Sequence, residues 1–376
     1  MADLIPATVL TGFLGAGKST LLRRVLTEPH GRKIAVIENE FGEENIDSEI
    51  IVSGGDEQII QLSNGCICCG VREDLRATLA DLAQRRRKGE IAFDQVIIET
   101  TGLADPGPIA QTFFLEPTIT ADYRPDAILT VVDAKHAMDQ LDARSEARRQ
   151  VGFADRLFIS KADLVDAPEL DVLSERLWRM NPRAPQSRVA FGDVALCEVF
   201  DVAGFNLTPD LELDPPTPHC EDPAHRGEDR RHVGQGGHHH HDDDVGSFVF
   251  RSERPFHPVR FGQFMNAIVQ SHGAALLRYK GVLNMAGLDR KVIFQGVHQL
   301  MSHHVGTAWS PHEPRLSKLV FIGLGLPQAM ILTSLQACLV PDTDRIEPPS
   351  GNGTLQRERH RSTVMEPGHV GAGQAR

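Results

Sequence analysis

Apolar residues in this chain follow two different periods. From Ala7 to about Phe200, short β-branched runs alternate with helical patterns. The strand candidates are ATVLTG (7–12), KIAVIE (33–38), DQVIIET (94–100), DAILTVVD (126–133), RLFIS (156–160) and SRVA (187–190). Between them lie stretches such as STLLRRVLTE and REDLRATLADLAQRR, where Leu75, Leu79 and Leu82 recur at the i, i+4, i+7 spacing of a helix face. Continuous apolar strands separated by helices predict βαβ units. The expected fold class is therefore α/β, with a mostly parallel, doubly wound sheet covered on both faces.

That order ends near Leu207. Residues 207–245 are rich in Pro, Gly, Asp and His and show no hydrophobic period, so they read as a linker. A second unit follows over 246–340, with strand candidates SFVFRS, KVIFQGV and KLVFIGL and helical patterns near Pro258–Gln270 and Pro327–Leu339. It predicts a smaller α+β domain. The tail, 341–376, is polar and rich in Gly and Pro. The expected organisation is thus 1–206, 207–245, 246–340 and 341–376, without an internal repeat.

Composition narrows the function classes. The formal net charge of −12 argues against a nucleic-acid partner. The acidity is local: Asp210–Asp244 holds ten Asp/Glu against three Arg, a net of −7. No apolar run reaches membrane-spanning length, and the N-terminus lacks a basic stretch followed by an apolar one. The expectation is a cytoplasmic protein with no membrane partner. Its six cysteines then read as reduced thiols available for metal binding or catalysis.

GFLGAGKST (12–20) directly follows a strand and opens a helix, fitting G-x4-G-K-[ST] through Gly12, Gly17, Lys18 and Ser19. Backbone N–H groups over Gly12, Gly15, Ala16, Gly17 and Thr20 can wrap phosphates, Lys18 can neutralise the β and γ oxygens, and the Ser19 hydroxyl can ligate Mg²⁺. This defines a P-loop NTPase expectation. In VIIETTGLADP, Glu99 ends an apolar strand and Gly102 follows three residues later. A carboxylate there reaches the magnesium shell, and Gly102 can turn its amide toward a γ-phosphate, so Lys18, Glu99 and Gly102 are the catalytic candidates. In FISKADL, Asp163 can accept from guanine N1–H and the 2-amino group, and the stem of Lys161 can lie along the base. Ser160 stands where Asn is commoner in the guanine-reading element. It keeps a hydroxyl but lacks the bidentate amide, which weakens base selectivity. No Gln or Arg suggests itself for orienting water or acting as a finger, so the expected GTP hydrolysis is slow.

QLSNGCICCGVREDL (61–75) places Cys66, Cys68 and Cys69 within four positions, flanked by Gly65 and Gly70. Thiolates suit Zn²⁺, and also Co²⁺ or Cu⁺. Tetrahedral zinc needs a fourth ligand, for which Glu38, Glu40, Glu43 and water are candidates. The alternatives are buried structural thiols or a redox pair.

Taken in order, the phosphate loop, NEFG (39–42), C-x-C-C, E-x-x-G and [NST]-K-x-D resemble the CobW-type P-loop GTPases, relatives of UreG and HypB. RSERPFHPVRF and LLRYKGVLNM are similar to the CobW C-terminal domain. The resemblance covers roughly residues 5–340. It implies a metallochaperone that binds and hydrolyses GTP with Mg²⁺ and delivers a transition metal, zinc, to a client metalloprotein, with a cobalt-handling GTPase for cobalamin synthesis as the alternative. It also implies Cys66, Cys68 and Cys69 as ligands, Lys18 and Ser19 at phosphate and Mg²⁺, Glu99 in the magnesium shell, and Lys161 and Asp163 at the base. The segment from Glu38 to Cys69 lies where GTPases keep their switches, so thiolate geometry is expected to follow the nucleotide.

HCEDPAHRGEDRRHVGQGGHHHHDDD (219–244) carries seven of the seventeen histidines. His238, His239, His240 and His241 read as a loose metal reservoir feeding the cysteine site, against the alternative of a solvated linker. Cys197 and Cys338 read as core, and His303 and His304 as solvated loop histidines. Competing classes are a zinc store or sensor that uses nucleotide only structurally, and a small-molecule kinase, which leaves the thiols without a role. The sequence leaves the client undefined and allows a homo-oligomer.

Overall fold

The computed structural model describes residues 4–38, 71–205 and 244–341. Strands β1 (Ile5–Gly12), β2 (Ile34–Glu38), β3 (Gln95–Glu99), β4 (Tyr123–Asp133), β5 (Arg156–Ser160) and β6 (Gln186–Arg188) form one sheet in the order β2-β3-β1-β4-β5-β6. Every pairing in it is parallel.

The apolar runs are continuous because both faces are covered. Ala35, Ile37, Val96, Ile98, Leu157 and Ile159 face one core, while Ile34, Val36, Ile97 and Phe158, which alternate with them, face another. Helix α1 (Lys18–Thr27) closes the second core through Leu21, Leu22, Val25 and Leu26. The first core is closed by α2 (Val71–Arg87), α3 (Pro106–Leu115), α4 (Pro117–Thr120), α5 (Ala137–Ala143), α6 (Ser145–Phe153) and α7 (Ala167–Met180). Leu75, Leu79 and Leu82 on α2 are buried, as their spacing predicts.

The second sheet is antiparallel, with β7 (Val245–Ser252), β8 (Leu276–Leu283), β9 (Arg290–Val297), β10 (Leu300–Ala308) and β11 (Ser317–Leu324) in the order β10-β9-β8-β11-β7. Leu319 and Phe321 face a core closed by α8 (Pro258–His272) and α9 (Gln328–Ala337), while Val320 and Ile322 join the core of the parallel sheet. The two sheets share one compact unit spanning Met1–Val340.

A buried ion pair reinforces this joint. Arg278 on β8 lies 2.7 Å from Asp155, just ahead of β5, and both side chains are 3 % exposed. Its guanidinium also donates to the carbonyls of Phe153 (2.9 Å) and Gly204 (3.0 Å) and sits 4.3 Å over the Phe205 ring. Strands β8 and β10 lie outside the three strand candidates read in this unit. His303 and His304 are therefore exposed strand residues on an edge of the sheet, not loop residues.

Candidate functional site

The C-terminal ends of the parallel strands gather the predicted residues. Register aligns Leu10 with Glu99, Glu38 with Glu99, Gly12 with Val131 and Asp133 with Ser160, so these strands end at one edge of the sheet. Ligands of open parallel sheets bind at that edge.

The loop from β1 to α1 is shaped by its glycines. Gly12 has φ +146°, and a Cβ there would stand 2.3 Å from the Val131 carbonyl oxygen. Gly17 adopts the left-handed conformation (φ 94°) at the N-cap of α1 without a side-chain cap, so the first amides of α1 face the loop. Lys18 is buried at 9 % exposure, and its Nζ donates to the Gly12 carbonyl at 3.1 Å. Ser19 and Thr20 are exposed on the first turn.

Strand β3 brings the carboxylate. The Ser19 hydroxyl donates to Glu99 Oε1 at 2.8 Å, and Glu99 is 8 % exposed. Thr100 N–H donates to the Leu10 carbonyl at 2.9 Å, and the Thr100 and Thr11 hydroxyls are 2.8 Å apart. The turn that follows sits directly on the phosphate loop: a Cβ at Gly102 would meet Leu14 N at 2.6 Å and Leu14 Cα at 2.7 Å. Only a glycine allows this backbone approach. Gln150, buried on α6, donates from Nε2 to the carbonyls of Gly102 and Ala104, each at 3.1 Å. Asp105 caps α3 by accepting from Gly107 N–H at 2.9 Å, and it pairs with Arg149.

The turn after β5, residues 160–163, adjoins the same loop. Ser160 is buried, and its hydroxyl lies 2.6 Å from the Ala16 carbonyl oxygen. It ties the base turn to the phosphate loop, a role beyond the one expected from its place in the motif. Lys161 takes the left-handed conformation (φ 54°), and its Nζ contacts Asp133 Oδ2 at 2.7 Å. His136 Nδ1 is 2.9 Å from the same oxygen. Burial pushes the Asp133 carboxyl up, but Lys161 and His136 outweigh it and hold it below its ordinary value. Asp163 is exposed on a 3-10 turn, Ala162–Leu164. The loop after β6 lies alongside, with Ala162 N–H to the Val189 carbonyl at 3.5 Å. In it Phe191 is left-handed (φ 54°) and 83 % exposed. The position of Gly192 is 3.1 Å, measured from a Cβ built there, from the Thr20 carbonyl oxygen.

Cys66, Cys68, Cys69, Glu40, Glu43 and His238, His239, His240 and His241 lie outside the described residues. Glu38 ends β2, partly buried, opposite Glu99. Among the described residues no group of three or more His, Cys, Asp or Glu could hold a metal ion. Cys338 is buried as expected, whereas Cys197 is exposed on a 3-10 turn, Leu196–Glu198, so the core reading fails for it.

Sequence reasoning passed over Asp133, Gln150, Asp105, Arg149 and Phe191. Asp133 ends a strand with the same geometry as Glu99, a positional signal that was legible. Gln150 and Arg149 gave none, because their partners lie more than forty residues away.

Fold and site together define a phosphate-loop nucleotide-binding protein of the α/β class. Residues 6–188 match the CobW/HypB/UreG nucleotide-binding domain, and residues 245–339 match the cobalamin synthesis protein CobW C-terminal domain. The chain is 41% identical over 329 residues to the zinc chaperone YjiA of Escherichia coli (strain K12), spanning 87% of this chain and 96% of that protein. It is 36% identical over 219 residues to zinc-regulated GTPase metalloprotein activator 1 of Schizosaccharomyces pombe, over 56% of this chain and 52% of that one. The crystal structure of Zn(II)-bound YjiA GTPase from E. coli superposes with a TM-score of 0.69 at 35% identity, covering 89% of this chain and 99% of that one. The chain belongs to the CobW/HypB/UreG family and carries its CobW C-terminal domain.

Proposed function

We propose that this protein is a GTP-hydrolysing metallochaperone that binds zinc through Cys66, Cys68 and Cys69 and passes it to a client metalloprotein. The relatives named above support GTP and zinc as its ligands. One contact carries the hydrolytic half of the reading: Ser19 and Glu99 meet at 2.8 Å beside the amides of α1. Two hard oxygen donors at the mouth of a phosphate loop suit Mg²⁺, which would supply charge neutralisation at the β and γ phosphates. Lys18 and the loop amides hold the phosphates, and the Gly102 amide faces the γ-phosphate. Asp163 accepts from the guanine edge, while the Lys161 stem and the Phe191 ring flank the base. Gln150 and Arg149 are engaged with the Gly102 turn and with Asp105. Neither is placed to orient water, which fits slow turnover.

The metal half follows from chain order. The segment 39–70 connects β2, whose end lies opposite Glu99, to α2. Cys66, Cys68 and Cys69 fall in this segment, ahead of α2 in the sequence. Nucleotide state then sets thiolate geometry: GTP favours tight metal and hydrolysis loosens it. The histidines at 238–241 supply a low-affinity store. Phosphate release from GTP and ATP, with and without one equivalent of zinc, tests the reading. Turnover of GTP well above ATP, changed by zinc, is expected. Zinc binding with intact GTP binding but no turnover would instead make the protein a store or sensor.

A further inference from the structure

We propose that His298, in the turn between β9 and β10 of the second sheet, is a positioning residue for the Gly102 turn. It acts as a stop against the N-terminus of α3. The inference rests on the GTPase reading above and deepens it, because it makes the C-terminal domain part of the nucleotide response.

Only Leu103 and Ala104 separate Gly102 from Asp105, the N-cap of α3. The turn therefore rides on the start of that helix. Gly107, the second helical residue, has no room for a side chain: a Cβ there would stand 2.7 Å from His298 Nε2, 3.0 Å from His298 Cδ2 and 2.9 Å from Phe153 Cζ. Helix backbone and imidazole are thus packed with no space for a side chain between them.

His298 is held firmly from behind. It is 9 % exposed, its ring meets Phe153 edge-on at 5.2 Å, and Nδ1 lies 3.3 Å from the Gly273 carbonyl oxygen. Its φ of 52° lies in the left-handed region, which non-glycine residues rarely adopt. Such strain is retained where the surroundings over-determine it.

The other support of the Gly102 turn touches the same sheet. Gln150 and Arg149 hold the turn and Asp105 from α6. Two residues on, a Cβ at Gly152 would stand 2.6 Å from Leu277 Cδ1 of β8. Both elements that fix the turn therefore abut the second sheet. A displacement of Gly102 toward or away from a γ-phosphate moves the α3 N-terminus, and His298 must move with it. His298 leads directly into β10, the edge strand carrying exposed His304 and Val305. The nucleotide state is thereby transmitted to that hairpin, and a ligand whose grip on the hairpin depends on the nucleotide alters GTP affinity by the same factor.

The test uses the full-length protein and His298→Asn, because Asn tolerates the left-handed backbone while withdrawing the ring. Hydrogen exchange over Arg290–Ala308 is compared with GDP and with a non-hydrolysable GTP analogue, alongside the affinity for each. Wild type is expected to show different protection there in the two states. His298→Asn should lose that difference, keep it over Gly12–Thr20, bind GDP within twofold of wild type and drop its analogue-to-GDP affinity ratio about fivefold. Gly107→Ala, which presses on His298 instead of freeing it, should alter the same ratio. Unchanged exchange at Arg290–Ala308 in wild type, or an undiminished difference in His298→Asn, overturns the coupling alone. Failure of wild type to bind the analogue overturns it together with the GTPase reading.

Discussion

Ser19 and Glu99, eighty positions apart in sequence, share a 2.8 Å hydrogen bond where α1 begins and β3 ends. The contact joins the phosphate loop to the carboxylate strand at one sheet edge. Ser19→Ala and Glu99→Gln should each lower the rate of GTP hydrolysis about 100-fold. GDP affinity measured with a magnesium chelator present should change little. Hydrolysis at the wild-type rate in Glu99→Gln would remove Glu99 from the mechanism.

In the proposed base turn, Asp163 is assigned to the base and Ser160 to the phosphate loop. Asp163→Asn should abolish the preference for GTP over ATP, read from competition binding. Ser160→Ala removes the tether to the Ala16 carbonyl, worth about 1 kcal/mol. It should weaken GTP and GDP equally, by about fivefold, and leave the purine preference intact. A shift in purine preference in Ser160→Ala would show that the hydroxyl reads the base instead.

The exposed ring of Phe191, in the loop beside the Lys161 turn, gives an independent handle on the proposed base site. Phe191→Ala should weaken GTP, GDP and ATP together by about tenfold, since stacking on an aromatic tolerates any base. Equilibrium dialysis with the three nucleotides checks this, and affinities equal to wild type would place the base elsewhere.

The described part of this site was readable in order along the chain, because the phosphate loop, Glu99 and the 160–163 turn each lie at the end of a strand with both faces covered. The apolar run of β3 pointed straight to Glu99, and GFLGAGKST announced its own loop. Strand β8 escaped notice because Arg278, Tyr279 and Lys280 interrupt its apolar run. Arg278 is buried only because Asp155, Phe153 and Gly204, from the segments around the parallel sheet, receive it. Strand β10 escaped because an edge strand with mostly exposed positions has no hydrophobic period. Cys197 was misread from its apolar neighbours: Val199 and Phe200 turn inward, while Cys197 itself is exposed on the short 3-10 turn and is disulfide-bonded, not a reduced thiol.

Lys280 makes the joint between the sheets sensitive to pH. Burial, reinforced by the nearby charges of Arg183 and Arg278 and partly offset by Asp155, pushes its ammonium down from 10.5 to about 7. The unfolded chain therefore takes up this proton before the folded one does. The resulting penalty is complete below about pH 7, shrinks as pH rises toward 10.5 and vanishes above it. Lys280→Met should melt higher than wild type at pH 6, with the gap closing toward pH 10. A gap independent of pH in thermal unfolding would contradict this account.

The proposed nucleotide-gated grip on metal is tested most directly by zinc titration of the wild type and a Cys66/Cys68/Cys69→Ser variant, each with GDP and with a non-hydrolysable GTP analogue. The predicted result is one tight site in the wild type, at least fivefold tighter with the analogue than with GDP, and absent in the variant in both states. Equal zinc affinity in the two nucleotide states, or a tight site that survives loss of the three thiols, would contradict the account.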